Sequence, residues 1–203
     1  MTSGGRRLLR HALVALLLVA PGICFAAEAG TAAAWGIEQL MENLAQVKST
    51  RGRFAERKYL AVLNAPLDSS GTLVYTAPGR LEKNTLLPRP ETLVLDQDKL
   101  VIEYKDRNQR RTLLLQEYPV VWAFVESIRA TLAGDLQTLR RFYRTSLEGS
   151  EDKWRLTLKP AAPKTQTLVK EIRIGGSGSR VRTIEIIEAE GDRSVMTVTE
   201  DAS

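Results

Sequence analysis

The strongest constraint on the fold of this chain is an alternation of apolar and polar side chains that recurs in short runs after Val47. Across residues 153–159, Trp154, Leu156 and Leu158 alternate without a break with Lys153, Arg155, Thr157 and Lys159. Successive side chains of an extended strand point to opposite faces, so the pattern describes a strand with one buried and one wet face, as in antiparallel sheets. Residues 99–105 obey the same rule, with Leu100, Ile102 and Tyr104 on the apolar side and only Val101 out of step. Similar runs occupy residues 53–60, 71–76, 91–95, 111–116, 143–147, 168–174, 180–188 and 194–200. Turn-forming clusters separate them, among them Ala77-Pro78-Gly79, Asp106-Arg107-Asn108 and Glu190-Gly191-Asp192. About ten strands so closely spaced predict a meander that curls, because flat open sheets of that size are uncommon.

Two segments carry the helical period instead. Ile37, Leu40, Met41, Leu44 and Val47 share one face of a helix within residues 31–47. Pro119 suits a first helical turn, Val121, Trp122, Val125, Ile128, Arg129 and Leu132 continue at helical spacing, and Gly134 ends the run. Asp135 is placed to cap a short following helix through Leu139. The order helix, strands, helix, strands predicts an α+β fold: a half-open antiparallel β-barrel of about ten strands, covered on its concave face by helices. No linker-like stretch or internal repeat divides residues 27–203, so one domain is expected.

The chain has 203 residues and a formal charge of +5. Part of that charge belongs to the N-terminus, where Arg6, Arg7 and Arg10 precede an apolar run, Pro21-Gly22 breaks it, and Ala26 and Ala27 follow. This is the three-part layout of a Sec-type secretory signal peptide, and its apolar core is about half the ~20 residues a membrane span needs. Cleavage is expected after Ala26, or after Ala29. The bulky Ile23 before Cys24 argues against a lipoprotein leader. Removing residues 1–26 lowers the net charge to about +2 and deletes the only cysteine, Cys24, and the only histidine, His11. The exported protein would then have no zinc site of the usual ligands, no histidine-dependent nucleophile and no disulfide, and no metal or cofactor is expected. Carboxylate-pair catalysis survives that exclusion, but no local motif supports it.

The apolar face of the strands is expected to contain Phe54, Tyr59, Leu73, Tyr75, Leu81, Leu93, Leu95, Trp154 and Leu156. A curled sheet of this size either fills its interior with such side chains or holds one ligand, and sequence does not choose between the two. The second helix favours a ligand. Val120, Val121, Trp122, Phe124, Val125 and Ile128 make it apolar around much of its circumference, as a lid with a second apolar side would be. The basic clusters at 107–111 and at Arg140, Arg141 and Arg144 are either solvated surface or contacts for anionic headgroups.

Several segments resemble the periplasmic outer-membrane lipoprotein carriers, the LolA-like family. These are the first helix, Arg53-Phe54-Ala55-Glu56, and Ser70-Gly71-Thr72-Leu73-Val74-Tyr75 running into Pro78-Gly79-Arg80-Leu81. Pro66-Leu67-Asp68-Ser69-Ser70-Gly71, Ala130-Thr131-Leu132-Ala133-Gly134-Asp135-Leu136 and Glu190-Gly191-Asp192-Arg193-Ser194 are similar to a divergent branch of it. The resemblance implies a non-enzymatic monomer that carries an acylated lipoprotein or lipid in its barrel. It also implies an inner-membrane donor complex and an outer-membrane acceptor, while export argues against a nucleic-acid partner. Where the carriers have a lid-latching arginine before the proline, this chain has Ala77, and Arg80 is the nearest candidate for a latch or headgroup contact. About where they have a tryptophan, it has Lys83. Two other readings of the scaffold are an interaction or sensor domain and a periplasmic enzyme.

Overall fold

A computed structural model describes residues 35–201; the proposed leader and its cleavage site lie outside the described residues. Helix α1 (Ile37–Ala45) leads into six strands, β1 (Ser49–Tyr59), β2 (Leu67–Thr76), β3 (Arg80–Leu87), β4 (Glu91–Asp96), β5 (Lys99–Tyr104) and β6 (Gln109–Leu114). After a short 3-10 turn come α2 (Pro119–Ala133) and α3 (Leu136–Phe142). The chain ends with β7 (Tyr143–Ser150), β8 (Lys153–Pro160), the one-turn helix α4 (Pro163–Gln166), β9 (Val169–Ser177), β10 (Arg180–Glu188) and β11 (Arg193–Glu200).

The strands form one antiparallel sheet in the order β6-β5-β4-β3-β2-β1-β11-β10-β9-β8-β7. First and last strands pair in its middle, with Phe54 opposite Val198 and Glu56 opposite Met196. The edges β6 and β7 stay apart, so the barrel is open. That topology dictates where the helices go. The chain leaves the sheet at one edge, β6, and re-enters at the other, β7, and the α2–α3 connection is the crossover between them. On β6, exposed Gln109, Arg110 and Arg111 discourage pairing with a further strand.

The end signals of the helices work as their residues require. Gly134, at φ 68°, supplies the left-handed residue after α2, and its N–H donates to the Ala130 and Thr131 carbonyls. Asp135 then accepts from the Thr138 N–H at 2.9 Å, capping α3.

There are eleven strands, one more than the alternation predicts. The additional strand is β3, which sequence pattern hides because Lys83 occupies a concave-face position between Leu73 and Leu93, where an apolar residue would complete the alternation. A second difference concerns Tyr59. It lies five residues from Phe54 on the same strand, so the two face opposite sides. Phe54 is buried, whereas Tyr59 is exposed and stacks against the Arg193 guanidinium at 4.6 Å.

The core is concentrated on one side of the sheet. Leu40, Met41 and Leu44 of α1 pack with Ala130, Leu139 and Tyr143 onto Trp154, Leu156, Leu158, Ile172 and Ile174 of β8 and β9. The Trp154 indole N–H donates to the Gly178 carbonyl at 2.8 Å, so its one polar atom is satisfied.

Candidate functional site

Between α2 and the concave face of the remaining strands lies a cavity of about 270 Å³, near the small end of the range of ligand pockets, roughly 300–1,000 Å³. Its walls are overwhelmingly apolar. Leu73 and Tyr75 come from β2, Leu81 from β3, Leu93 and Leu95 from β4, Leu100 from β5, Ile184 and Ile186 from β10, and Met196 and Val198 from β11. Phe124, Val125, Ile128 and Leu132 of α2 close it, with Leu44 and Val47 at the α1 end. Glu82 and Glu200 also border it, Glu82 accepting from the Asn84 amide at 2.8 Å and Glu200 paired with Arg180 at 3.3 Å.

Helix α2 is amphipathic in an unusual sense: it has one buried face and one half-buried apolar face. One meets the cavity. The other, carrying Ala123, Ser127, Ala130 and Thr131, packs into the protein. There the Tyr143 hydroxyl donates to the Ala123 carbonyl at 3.1 Å, and burial pushes this phenol up to about 12 against the opposing effect of Ser127. Ser127 and Thr131 return their hydroxyls to the carbonyls of Phe124 and Ser127, both at 2.6 Å, so small polar side chains lie buried without orphaned atoms.

Of the residues expected to form the site, Leu73, Tyr75, Leu81, Leu93, Leu95, Phe124, Val125 and Ile128 line the cavity together. Phe54 is buried in the sheet floor beneath Lys83. Trp154 and Leu156 belong to the filled core, and Tyr59 lies on the other face. Trp122 braces α2 from outside: its ring meets Phe142 edge-on at 5.6 Å and its indole N–H donates to Glu126 at 3.1 Å. Arg80 alternates with Leu81 and so faces away from the cavity, where it pairs with Asp96 at 2.7 Å. The basic group between lid and barrel is Arg129, supplied by the helix. It holds the buried Glu126 carboxylate at 2.6 Å and crosses Gly79 in the β2–β3 turn, where an added Cβ would lie 2.5 Å from its Cδ. Sequence reasoning missed Arg129 because helical spacing says nothing about the turn it reaches. Alternation shows β10 and β11 as strands but does not show that Ile184, Ile186, Met196 and Val198 stand opposite α2.

The cavity has polar groups at its margin. Lys83 donates to Glu56 at 2.6 Å, and Ser194 donates to the same carboxylate at 2.9 Å. Burial disfavours the Glu56 charge, but the attraction of Lys83 and the hydrogen bonds from Lys83 and Ser194 outweigh it and hold the carboxyl below its ordinary value. Deeper in, the buried Tyr75 hydroxyl has no hydrogen-bond partner, and desolvation raises its pKa.

An open antiparallel sheet curled around an apolar hollow, with a helix laid across it, defines a lidded half-barrel. The chain belongs to the family described as outer membrane lipoprotein carrier protein LolA-like, whose model matches residues 29–202. It is 30% identical over 166 residues to an outer-membrane lipoprotein carrier protein of Cupriavidus taiwanensis, spanning 80% of this chain and 75% of the relative. A carrier protein of the same description from Cupriavidus pinatubonensis is 28% identical over 176 residues, 85% of this chain and 80% of that protein. Among solved structures, a LolA superfamily protein from Nitrosomonas europaea aligns over 82% of this chain and 92% of its own, at 11% identity and a TM-score of 0.41. The Pseudomonas aeruginosa MucA/MucB complex aligns over 82% of this chain and 58% of the matched chain, at 13% identity and a TM-score of 0.46.

Proposed function

We propose that this protein is a non-catalytic periplasmic carrier, exported by a cleaved leader, that takes acylated cargo, a lipoprotein or a lipid, into its half-barrel and moves it toward the outer membrane. The observation that carries this reading is the apolar cavity between α2 and the concave sheet. A helix that packs one face into the protein and leaves a second, half-buried apolar face against empty space keeps apolar surface ready for an apolar guest. Each methylene taken from water contributes about 0.8 kcal/mol, so ten of them supply roughly 8 kcal/mol before the costs of immobilising the chain and ordering the lid. The net figure leaves binding reversible, as release at a destination demands. The relatives' description as outer-membrane lipoprotein carriers supports the same direction of transport.

Native mass spectrometry of protein purified from a bacterial periplasm tests the reading. A co-purifying lipid that added fatty acid displaces is the expected result. A lipid-free protein with no saturable site for an apolar fluorophore would refute the carrier function and leave an interaction domain on the same scaffold.

A further inference from the structure

The concave face is graded along its strands. On β1 the inward positions run Gly52, Phe54, Glu56, Lys58 from the α1 end toward the β1–β2 hairpin; on β2 they run Tyr75, Leu73, Gly71, Ser69; on β3, Leu81 then Lys83; on β11, Val198, Met196, Ser194. Every one of these rows passes from apolar or small side chains under the helices to polar ones toward the hairpin. Their polar members meet. Glu56 accepts from Lys83 and Ser194, Ser69 lies 3.5 Å from it, and Lys58 pairs with Glu188 at 3.2 Å beyond. Lys83 is the single cation among the described residues that line the cavity. Its ammonium stands 4.8 Å above the Phe54 ring, and of its three donors one is taken by Glu56.

An ion pair with its carboxylate largely out of water is weak support for a fold, since apolar residues of similar volume hold such positions as well or better. A cation with spare donors at the polar end of an apolar cleft has a use in recognition. We infer that Lys83, with Glu56 and Ser194 as its setting, forms a headgroup subsite that receives an anionic oxygen, carboxylate or phosphate, of a cargo whose chain lies under α2. The inference rests on the carrier reading above and names the class of cargo. Lys83 binds the head with the donors Glu56 leaves free. Glu56 holds the ammonium in place and, being itself an anion, limits how tightly the head is kept.

Displacement of a neutral apolar fluorophore, N-phenylnaphthylamine, from the protein expressed with its own leader tests this with three ligands of one chain length: dodecanoate, dodecyl phosphate and dodecanol. Both anions are expected to bind about tenfold more tightly than the alcohol, the size of one charge-assisted hydrogen bond. Which anion is preferred distinguishes a carboxylate from a phosphate head. Lys83→Met should bring all three together, weakening the two anions about tenfold more than it weakens dodecanol, Lys83→Arg should keep the preference, and Glu56→Gln should widen it. A wild-type protein that binds alcohol and anions alike, or a Lys83→Met protein that loses all three equally, overturns the subsite. Failure of dodecanol as well as the anions to displace the fluorophore would instead bring down the carrier reading, and this inference with it.

Discussion

The two wings of the sheet are made from the same kinds of residue and end in different states. In the β7–β9 wing, Leu156, Leu158 and Ile172 are wholly buried and Ile174 nearly so, because α1, α2 and α3 press onto them. In the β2–β5 wing, Leu73, Leu81, Leu93 and Leu100 are only half-buried, although they too stand on the concave side. What separates the wings is the reach of α2, whose Phe124, Val125 and Ile128 span the hollow without filling it. Burial in this fold is thus decided by the partner across the layer more than by the strand.

The largest test of that contrast is a pair of truncations. Leu158→Ala should cost about 3–5 kcal/mol in urea unfolding, since it opens a void in close packing, whereas Leu93→Ala, facing space already empty, should cost about 1 kcal/mol. Equal losses would show that the β2–β5 wing is packed in solution. Enlargement sharpens the point in the opposite sense. Leu156→Phe should lose about 1–3 kcal/mol to overpacking, while Leu93→Phe should leave stability within about 0.5 kcal/mol and weaken binding of the neutral fluorophore by occupying its space. A stable Leu93→Phe variant with undiminished binding would place the guest elsewhere.

Acid distinguishes the wings through Glu56, which lies at the hollow side. Its folded pKa is below the unfolded one, so its contribution is present above the ordinary glutamate value, about 4.3, and is lost as pH falls through the depressed folded value. Lys58, Lys83 and Glu188 are the charged groups around it. Glu56→Gln should flatten the decline of melting temperature below about pH 4.3; an unchanged slope would mean that other carboxylates govern it. The smallest effect is expected at Tyr75. Removing its unpartnered hydroxyl in Tyr75→Phe should change stability by no more than about 1 kcal/mol, toward greater stability. A clear loss would reveal a partner for that hydroxyl in solution.

Much of the fold is legible locally. Alternation marks ten of the eleven strands, and Gly134 and Asp135 mark the break between α2 and α3. Strand β3 escapes because its inward face carries Lys83, whose partner on β1 is 27 residues away. The site is legible in part: the inward leucines of β2 and β4 follow from parity, as does the correction at Tyr59, whereas Leu81 is expected on the inner face without its strand being recognised. Trp154 and Leu156 share that parity yet belong to the filled wing, a distinction no strand contains within itself.

The sequence by itself determined the antiparallel class, the break between α2 and α3, and the inward side of strands that alternate cleanly, because those depend on backbone period and on caps a few residues apart. Only the tertiary structure decided which wing is filled and which is hollow, that Arg129 and not Arg80 reaches between helix and turn, and that Glu56 meets Lys83 and a serine 138 residues downstream. Periodicity states which way a side chain points. What stands opposite it depends on how far a helix from a remote part of the chain can reach across the sheet.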